Sequence, residues 1–269
     1  MLSIESSNAS KYLLEDPCSL YNQSKANPLA RQGDGWGIGY YSGRVCHLVK
    51  SEKPVYEEYE DFASAVGKAD SNLILAHVRR ASNPRGLPRT KIISIENSQP
   101  FKHENYLFVH NGTITIPDEV EESLGDWRSR IAGFNDSEVY FWFIVKAMTE
   151  GASFADAVRQ FEGTLSELWE MNREKHPDKL HPYIGLNALL SDGERLYAYC
   201  KHDGDDESRK SLCFEEQPVF QMSYLVSQER LIVSSEKTNK DEDWKPLKSG
   251  HILIGEIDGK RVTIRLQGI

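Results

Sequence analysis

The chain has 269 residues, enough for one large α/β or α+β domain or for two small ones. Hydrophobic residues make up 39% and charged residues 27%, and the formal charge of −9 argues against nucleic acid or an anionic membrane as a partner, since both repel an acidic surface. No apolar run reaches the roughly 20 residues that span a bilayer, and no basic-then-apolar leader opens the chain, so a cytoplasmic setting is expected.

Trp36 to Tyr41, the Ser42-Gly43 turn and Arg44 to Lys50 read as a β-hairpin. Pro54 to Lys68 carries Val55, Tyr59, Phe62, Ala63 and Val66 at helical spacing. Asn72 to Val78 and Tyr106 to His110 are short apolar runs of the size of buried strands. Asp136 to Thr149 predicts a helix capped by Asn135 or Asp136, and Phe154 to Glu170 repeats the pattern. After Tyr183 the chain turns to strands: Ile184–Leu190, Arg195–Lys201, Val219–Val226, Arg230–Ser235, His251–Glu256 and Val262–Leu266. Asp192-Gly193 and Asp258-Gly259 are hairpin turns, and Asp203 to Arg209 reads as a solvated loop. Strands, then helices, then strands lacks the βαβ rhythm of a doubly wound sheet. It predicts an α+β fold of antiparallel sheets packed face to face with helices outside.

The four cysteines, Cys18, Cys46, Cys200 and Cys213, form no C-x-x-C pair. Free thiols in a reducing compartment are expected, ahead of a disulfide framework or a zinc site. His77, His103 and His110 match no metal-ligand spacing, so structural or surface roles are expected. Gly33-Asp34-Gly35-Trp36-Gly37 lacks the Lys-Ser/Thr of a phosphate loop, and its glycines serve sharp turns into the hairpin. No metal or organic cofactor is implied.

Three stretches carry the chemistry. Arg79 follows an apolar strand, where a guanidinium can grip a carboxylate with two parallel hydrogen bonds. Asn111-Gly112 can stabilise an oxyanion if the amide and the Gly N–H point at one spot. Asp136 opens a helix and can hold an ammonium group. Each alone has a plainer reading: a surface arginine, a tight turn, a helix cap.

Together with Asp34-Gly35-Trp36-Gly37-Ile38, His77-Val78-Arg79-Arg80-Ala81-Ser82, Asn97-Ser98-Gln99-Pro100-Phe101, His110-Asn111-Gly112 and Asn135-Asp136-Ser137-Glu138, the order of motifs resembles the class II glutamine amidotransferase domain, an N-terminal-nucleophile hydrolase. The likeness continues through Asn187-Ala188-Leu189-Leu190-Ser191-Asp192-Gly193 and Val233-Ser234-Ser235-Glu236, and it is nearest to stand-alone members. The resemblance implies one domain over residues 1–269 and a four-layer αββα sandwich. It also implies that Arg79 and Ser82 bind a glutamine α-carboxylate, that Asp136 holds the α-amine, and that Asn111 and Gly112 form the oxyanion hole. Asn83 stands where many members carry His or Gln.

In that family the nucleophile is a Cys at the mature N-terminus whose own α-amine, with a pKa of about 8, accepts the thiol proton. Met1-Leu2-Ser3 supplies none, and Cys18 lies inside the chain. We expect a Met-Cys pair a few codons upstream, with Met1 to Ile4 continuing the first strand. The expected reaction is hydrolysis of glutamine to glutamate and ammonia through a γ-glutamyl thioester, the ammonia passing to a partner synthase. The rival readings are a hydrolase of another γ-glutamyl amide and a non-catalytic glutamine-binding or regulatory module.

Overall fold

A computed structural model describes residues 1–28, 31–202, 211–214 and 216–269. In chain order the strands are β1 Leu2–Ser7, β2 Trp36–Ser42, β3 Val45–Ser51, β4 Ser71–Val78, β5 Phe101–His103, β6 Tyr106–Ile114, β7 Tyr183–Ser191, β8 Leu196–Cys200, β9 Met222–Val226, β10 Arg230–Ser234, β11 Lys245–Leu247, β12 His251–Asp258 and β13 Arg261–Gly268. The helices are α1 Leu20–Ala26, α2 Tyr59–Lys68, α3 Arg89–Ile92, α4 Pro117–Ser123, α5 Asp136–Thr149 and α6 Phe154–Asn172.

The strands form a seven-stranded sheet, ordered β11-β9-β10-β1-β4-β2-β3, and a six-stranded sheet, ordered β13-β12-β8-β7-β6-β5. Every pairing is antiparallel. Alternation along the strands divides the core into three layers. Leu2, Leu73, Leu75, Leu107, Leu196, Leu231 and Leu253 fill the space between the sheets. Met1, Ile38, Phe62, Val66, Ile74, Val78 and Ile232 pack on the outer side of the larger sheet, with α2. Phe108, Ile114, Leu186 and Tyr199 of the smaller sheet meet α5 and α6 through Tyr140, Ile144, Phe161 and Leu165. This is the four-layer αββα sandwich, the expected fold.

Local differences have local causes. The helix expected from Pro54 begins at Tyr59. Pro54 to Glu58 forms turns instead, closed by Glu57 N–H to Pro54 O at 3.0 Å and Glu58 N–H to Val55 O at 3.2 Å, and the Glu58 carboxylate accepts from Trp36 Nε1 at 3.1 Å. Asn111-Gly112 is no turn: β6 runs through it to Ile114, with Asn111 facing Asn187 across the ladder. Asp203 to Arg209 lies outside the described residues. The expectation of four free thiols is overturned, since Cys18 and Cys213 form a disulfide across 195 residues, while Cys46 and Cys200 are free and buried. No spacing rule sees a pair so distant. With it goes the argument for a reducing compartment. No helix among the described residues is long and apolar enough to cross a membrane.

Candidate active site

β4 delivers Arg79 to the space between the sheets. Leu73 and Leu75 face the inter-sheet core while Ile74 and Val78 face outward, so alternation puts His77 and then Arg79 on the inner side. Arg79 is 3% exposed. Its backbone N–H donates to Gly35 O at 2.8 Å, and Asp34 N–H donates to Arg79 O at 2.9 Å. That exchange needs Gly35 at φ +121°, a left-handed conformation that a side chain resists. The guanidinium Nη1 donates to Ile92 O at 2.8 Å and to Asp34 O at 3.3 Å, which fixes its direction. Burial weakens the hold of Arg79 on its proton, and Asp34 and Asp136 oppose that effect. Among the described residues no group accepts from its Nε or Nη2.

Ser82, three residues on, donates from Oγ to Asp136 Oδ1 at 2.8 Å. Asp136 Oδ2 accepts from Ile114 N–H at 2.7 Å, tying α5 to the end of β6. Asp136 is 1% exposed and stands behind Ser82. It is the first residue of α5 but not its cap. Asn135 caps, accepting from Ser137 N–H at 2.9 Å, so the Asp136 carboxylate points elsewhere. Loops clamp this helix mouth. Asn97 Oδ1 accepts from Phe134 N–H at 2.6 Å, Asn135 Nδ2 donates to Asn97 O at 2.7 Å, and Glu138 accepts from Ala132 and Gly133 N–H.

Asn111 and Gly112 come from β6. Asn111 is exposed, and no protein group among the described residues bonds its side-chain amide. Gly112 is close-packed: a Cβ there would strike Gly185 O and His110 Nε2. The cause is a bulge in β7. Gly112 pairs with Leu186 and Thr113 with Ile184, leaving Gly185 unpaired at φ +73° with its carbonyl beside Gly112. His110 braces the same corner. Gly185 O can only accept, so His110 Nε2 carries the proton and donates to it at 3.2 Å, and Nδ1 accepts from Ser137 Oγ at 2.9 Å. Gln99 acts as a substitute strand residue: its Oε1 accepts from His110 N–H at 2.6 Å and its Nε2 donates to His110 O at 3.2 Å.

Arg79, Ser82, Asn111 and Gly112 line one cavity of about 690 Å³, within the usual range for small-molecule sites. Asp136 joins them through Ser82, its neighbours Asn135 and Ser137 lying on the cavity wall. The cavity also runs between the facing edges of β4 and β10, past Ile74 to Val78 on one side and Ile232 to Ser235 on the other. Met1 closes one end of that slot. Its α-amine donates to Ile74 O at 2.8 Å, and burial pulls its pKa from 8.0 to about 5.

His77 was not singled out by sequence for this site, yet it lines the cavity next to Arg79. Its Nδ1 is sealed from water and unbonded, and burial, helped by the nearby Arg79 and His110, pulls its pKa from 6.5 to about 3. A polar residue on the inner face of an otherwise apolar strand was the available signal. Gly185 carried no comparable signal, because its role depends on β6, far away in sequence; Gln99 stands in the Asn97 to Phe101 motif, but no local pattern ties it to His110, 11 residues on.

Comparisons with known proteins bear on this geometry. The chain is 31% identical over 259 residues, 95% of its length and 90% of the relative's, to the γ-glutamyl-hercynylcysteine sulfoxide hydrolase of Mycobacterium tuberculosis (strain ATCC 25618 / H37Rv). It is 28% identical over 177 residues, 62% of its length, to YafJ of Escherichia coli (strain K12), whose name places it with the glutamine amidotransferases. It spans 60% of YafJ and 64% of the uncharacterised protein MJ1515 of Methanocaldococcus jannaschii, to which it is 25% identical. Among solved structures, a glutamine aminotransferase class-II domain protein from Silicibacter pomeroyi shares the fold with a TM-score of 0.58 and 21% identity, covering 86% of this chain and 90% of that one. The glutamine phosphoribosylpyrophosphate amidotransferase of B. subtilis does so with a TM-score of 0.56 and 16% identity, over 91% of this chain and 45% of that one. The family model described as glutamine amidotransferases class-II matches residues 18–266, and the chain belongs to that family.

Proposed function

We propose that the cavity holds a γ-glutamyl group by its amino-acid end and presents its side-chain amide for hydrolysis. The observation that carries this reading is the convergence on one cavity of a buried guanidinium, the Ser82–Asp136 pair and the Asn111 amide, which no group among the described residues bonds. Arg79 receives the α-carboxylate. Asp136, whose oxygens each keep a second lone pair, receives the α-ammonium beside Ser82. The Asn111 amide and Gly112 N–H donate to the oxyanion, the role that fixed donors fill best because they need no reorganisation at the moment of attack.

The attacking thiol belongs to the residues that precede Met1 in such an enzyme. Leu2 pairs with Leu73 and the Met1 amine bonds Ile74 O, so preceding residues would run antiparallel to Leu75, Ala76 and His77 inside the β4–β10 slot. Side chains alternate, and Leu2 faces the inter-sheet core. The first and third residues before Met1 would therefore point inward, the third level with His77 and two positions short of Arg79. A Cys there, bearing a free α-amine, would pass its thiol proton to that amine and attack the amide carbon. The amine would then protonate the departing nitrogen, and water would cleave the thioester.

The relative named for γ-glutamyl-hercynylcysteine sulfoxide hydrolysis aligns over 95% of this chain, which favours a γ-glutamyl amide larger than glutamine as the substrate. Glutamine itself, with ammonia passed to a synthase, is the second reading, supported by the likeness to YafJ. The test compares glutamate release from glutamine and from N-substituted γ-glutamyl amides, using chain extended by its genomic upstream codons. Release from substituted amides alone selects the first reading, and ammonia from glutamine the second. Binding without release by the extended chain would leave only a sensing module, and no binding would sink the site.

A further inference from the structure

Beside the same cavity, which Glu236 lines, three donor groups meet from distant parts of the chain. Cys18 lies between the helical turn Lys11–Glu15 and α1, Cys213 lies ahead of β9, and Glu236 follows β10. Their sulfur and carboxylate atoms all fall within 4.8 Å of one another. The backbone fixes each one. Cys18 N–H donates to Thr238 O at 2.9 Å, and Gln23 Nε2 donates to Cys18 O at 2.8 Å. The Glu236 carboxylate accepts from Leu212 N–H at 2.6 Å and from Cys213 N–H at 3.2 Å.

We propose that reduction of the Cys18–Cys213 disulfide uncovers a site for a zinc-class divalent cation, with the two sulfurs and the Glu236 carboxylate as its protein ligands. Donor type is the first argument: two thiolates and a carboxylate are a set that zinc accepts. Spacing is the second. Cys18 Sγ lies 3.9 Å from Glu236 Oε2, against roughly 3.5 Å for sulfur and oxygen on a tetrahedral zinc with its usual bond lengths. The Cys18 and Cys213 Cα atoms, 6.0 Å apart, let the sulfurs separate to about 3.7 Å by side-chain rotation.

Charge is the third argument. Glu236 is 4% exposed, and among the described residues no Lys, Arg or His pairs with its carboxylate. A buried carboxylate of this kind is completed by a proton or by a cation, and a dication would also draw off both thiol protons. Access is the fourth. Gln23, Leu212, Glu236 and Thr238 line the cavity, so water can take the remaining coordination position. The disulfide and the cation are alternatives for one site, and the redox state selects between them.

The experiment uses the full chain and Co²⁺ as an optical stand-in for zinc. A water-soluble phosphine opens the disulfide: water supplies the oxygen of the phosphine oxide and the two thiol protons. The chain is then freed of reagent under argon and titrated. One equivalent of Co²⁺ should give thiolate charge-transfer absorption with tetrahedral visible bands, displaced by Zn²⁺, and should shield two thiols from alkylation. The oxidised chain should give none, and the Cys18→Ser/Cys213→Ser double variant should lose the bands, leaving Cys46 and Cys200 as background. Glu236→Gln, first shown to fold with the disulfide intact and then titrated after it is opened, should weaken binding at least about tenfold. The proposal is overturned by absence of the one-equivalent band in folded reduced chain, or by its persistence in the double variant. It is equally overturned by unchanged affinity in Glu236→Gln, or by a reduced chain that unfolds whether or not Co²⁺ is present.

Discussion

Ser82 Oγ donates to Asp136 Oδ1 at 2.8 Å, joining the loop after Arg79 to the first residue of α5. Because Asp136 Oδ2 is held by Ile114 N–H, one carboxylate couples the β4 exit, the β6 end and a helix start. Ser82→Ala removes one donor from a buried carboxylate. The expected result is a five- to tenfold loss of affinity for a γ-glutamyl amino acid, on the scale of about 1 kcal/mol for a hydrogen bond. Asp136→Asn should lose more, because the charge facing the ammonium goes with it. Titration calorimetry with glutamine checks both. Equal affinity in Asp136→Asn and the parent chain would remove Asp136 from the site.

Asn111→Ala separates chemistry from folding. Among the described residues the amide makes no bond, so the melting temperature should stay within a degree or two of the parent's. In a chain carrying the proposed thiol, kcat should fall about a hundredfold, the scale of one lost oxyanion donor. A large fall in melting temperature with unchanged kcat would show that the amide serves the fold.

Gly112→Ala should do the reverse. Its Cβ meets Gly185 O and His110 Nε2, and both are pinned, one by a bulge and the other by two hydrogen bonds. The expected cost is about 1–3 kcal/mol of stability, read from the urea midpoint. Gly67→Ala, where a Cβ meets nothing within 4 Å, is the control and should be neutral or stabilising.

Acid should unfold this chain through its inner histidines. His77 and His110 are both lowered from 6.5, His77 to about 3, chiefly by burial. Between 6.5 and those lower values the unfolded chain binds protons that the folded chain refuses. Their contribution is therefore fully present above about pH 6.5 and is lost as pH falls, at no more than about 1.4 kcal/mol per pH unit for each histidine. His77→Gln should flatten the plot of unfolding free energy between pH 6.5 and 4 by up to one proton's slope. An unchanged slope would show that His77 titrates freely in the folded state.

What the sequence made legible was what repeats locally. The hairpin at Ser42-Gly43, the start of α5 and the alternation of the late strands each follow from neighbours within a few residues. The motif order points to Arg79, Ser82, Asn111 and Gly112, which line one cavity, and to Asp136, which reaches it through Ser82. What stayed hidden depends on partners far along the chain. Asn111-Gly112 reads locally as a turn dipeptide because the β7 bulge that holds Gly112 in a strand is more than 70 positions away, at the Gly185 carbonyl that His110 reaches across a separation of 75. Asn135 and Asp136 were interchangeable as caps until Ser82 and Ile114 claimed the second of them. The Cys18–Cys213 bond, across 195 residues, had no local trace.

The position of Met1 has a practical consequence. β1 is flanked by β10 and β4, and the first amine is already bonded to Ile74 O inside the larger sheet. An affinity tag or fusion partner attached ahead of Met1 would be threaded between two strands and across the cavity mouth instead of trailing into solvent. Purification handles belong after Ile269, beyond β13 at the rim of the smaller sheet, where they leave that passage open.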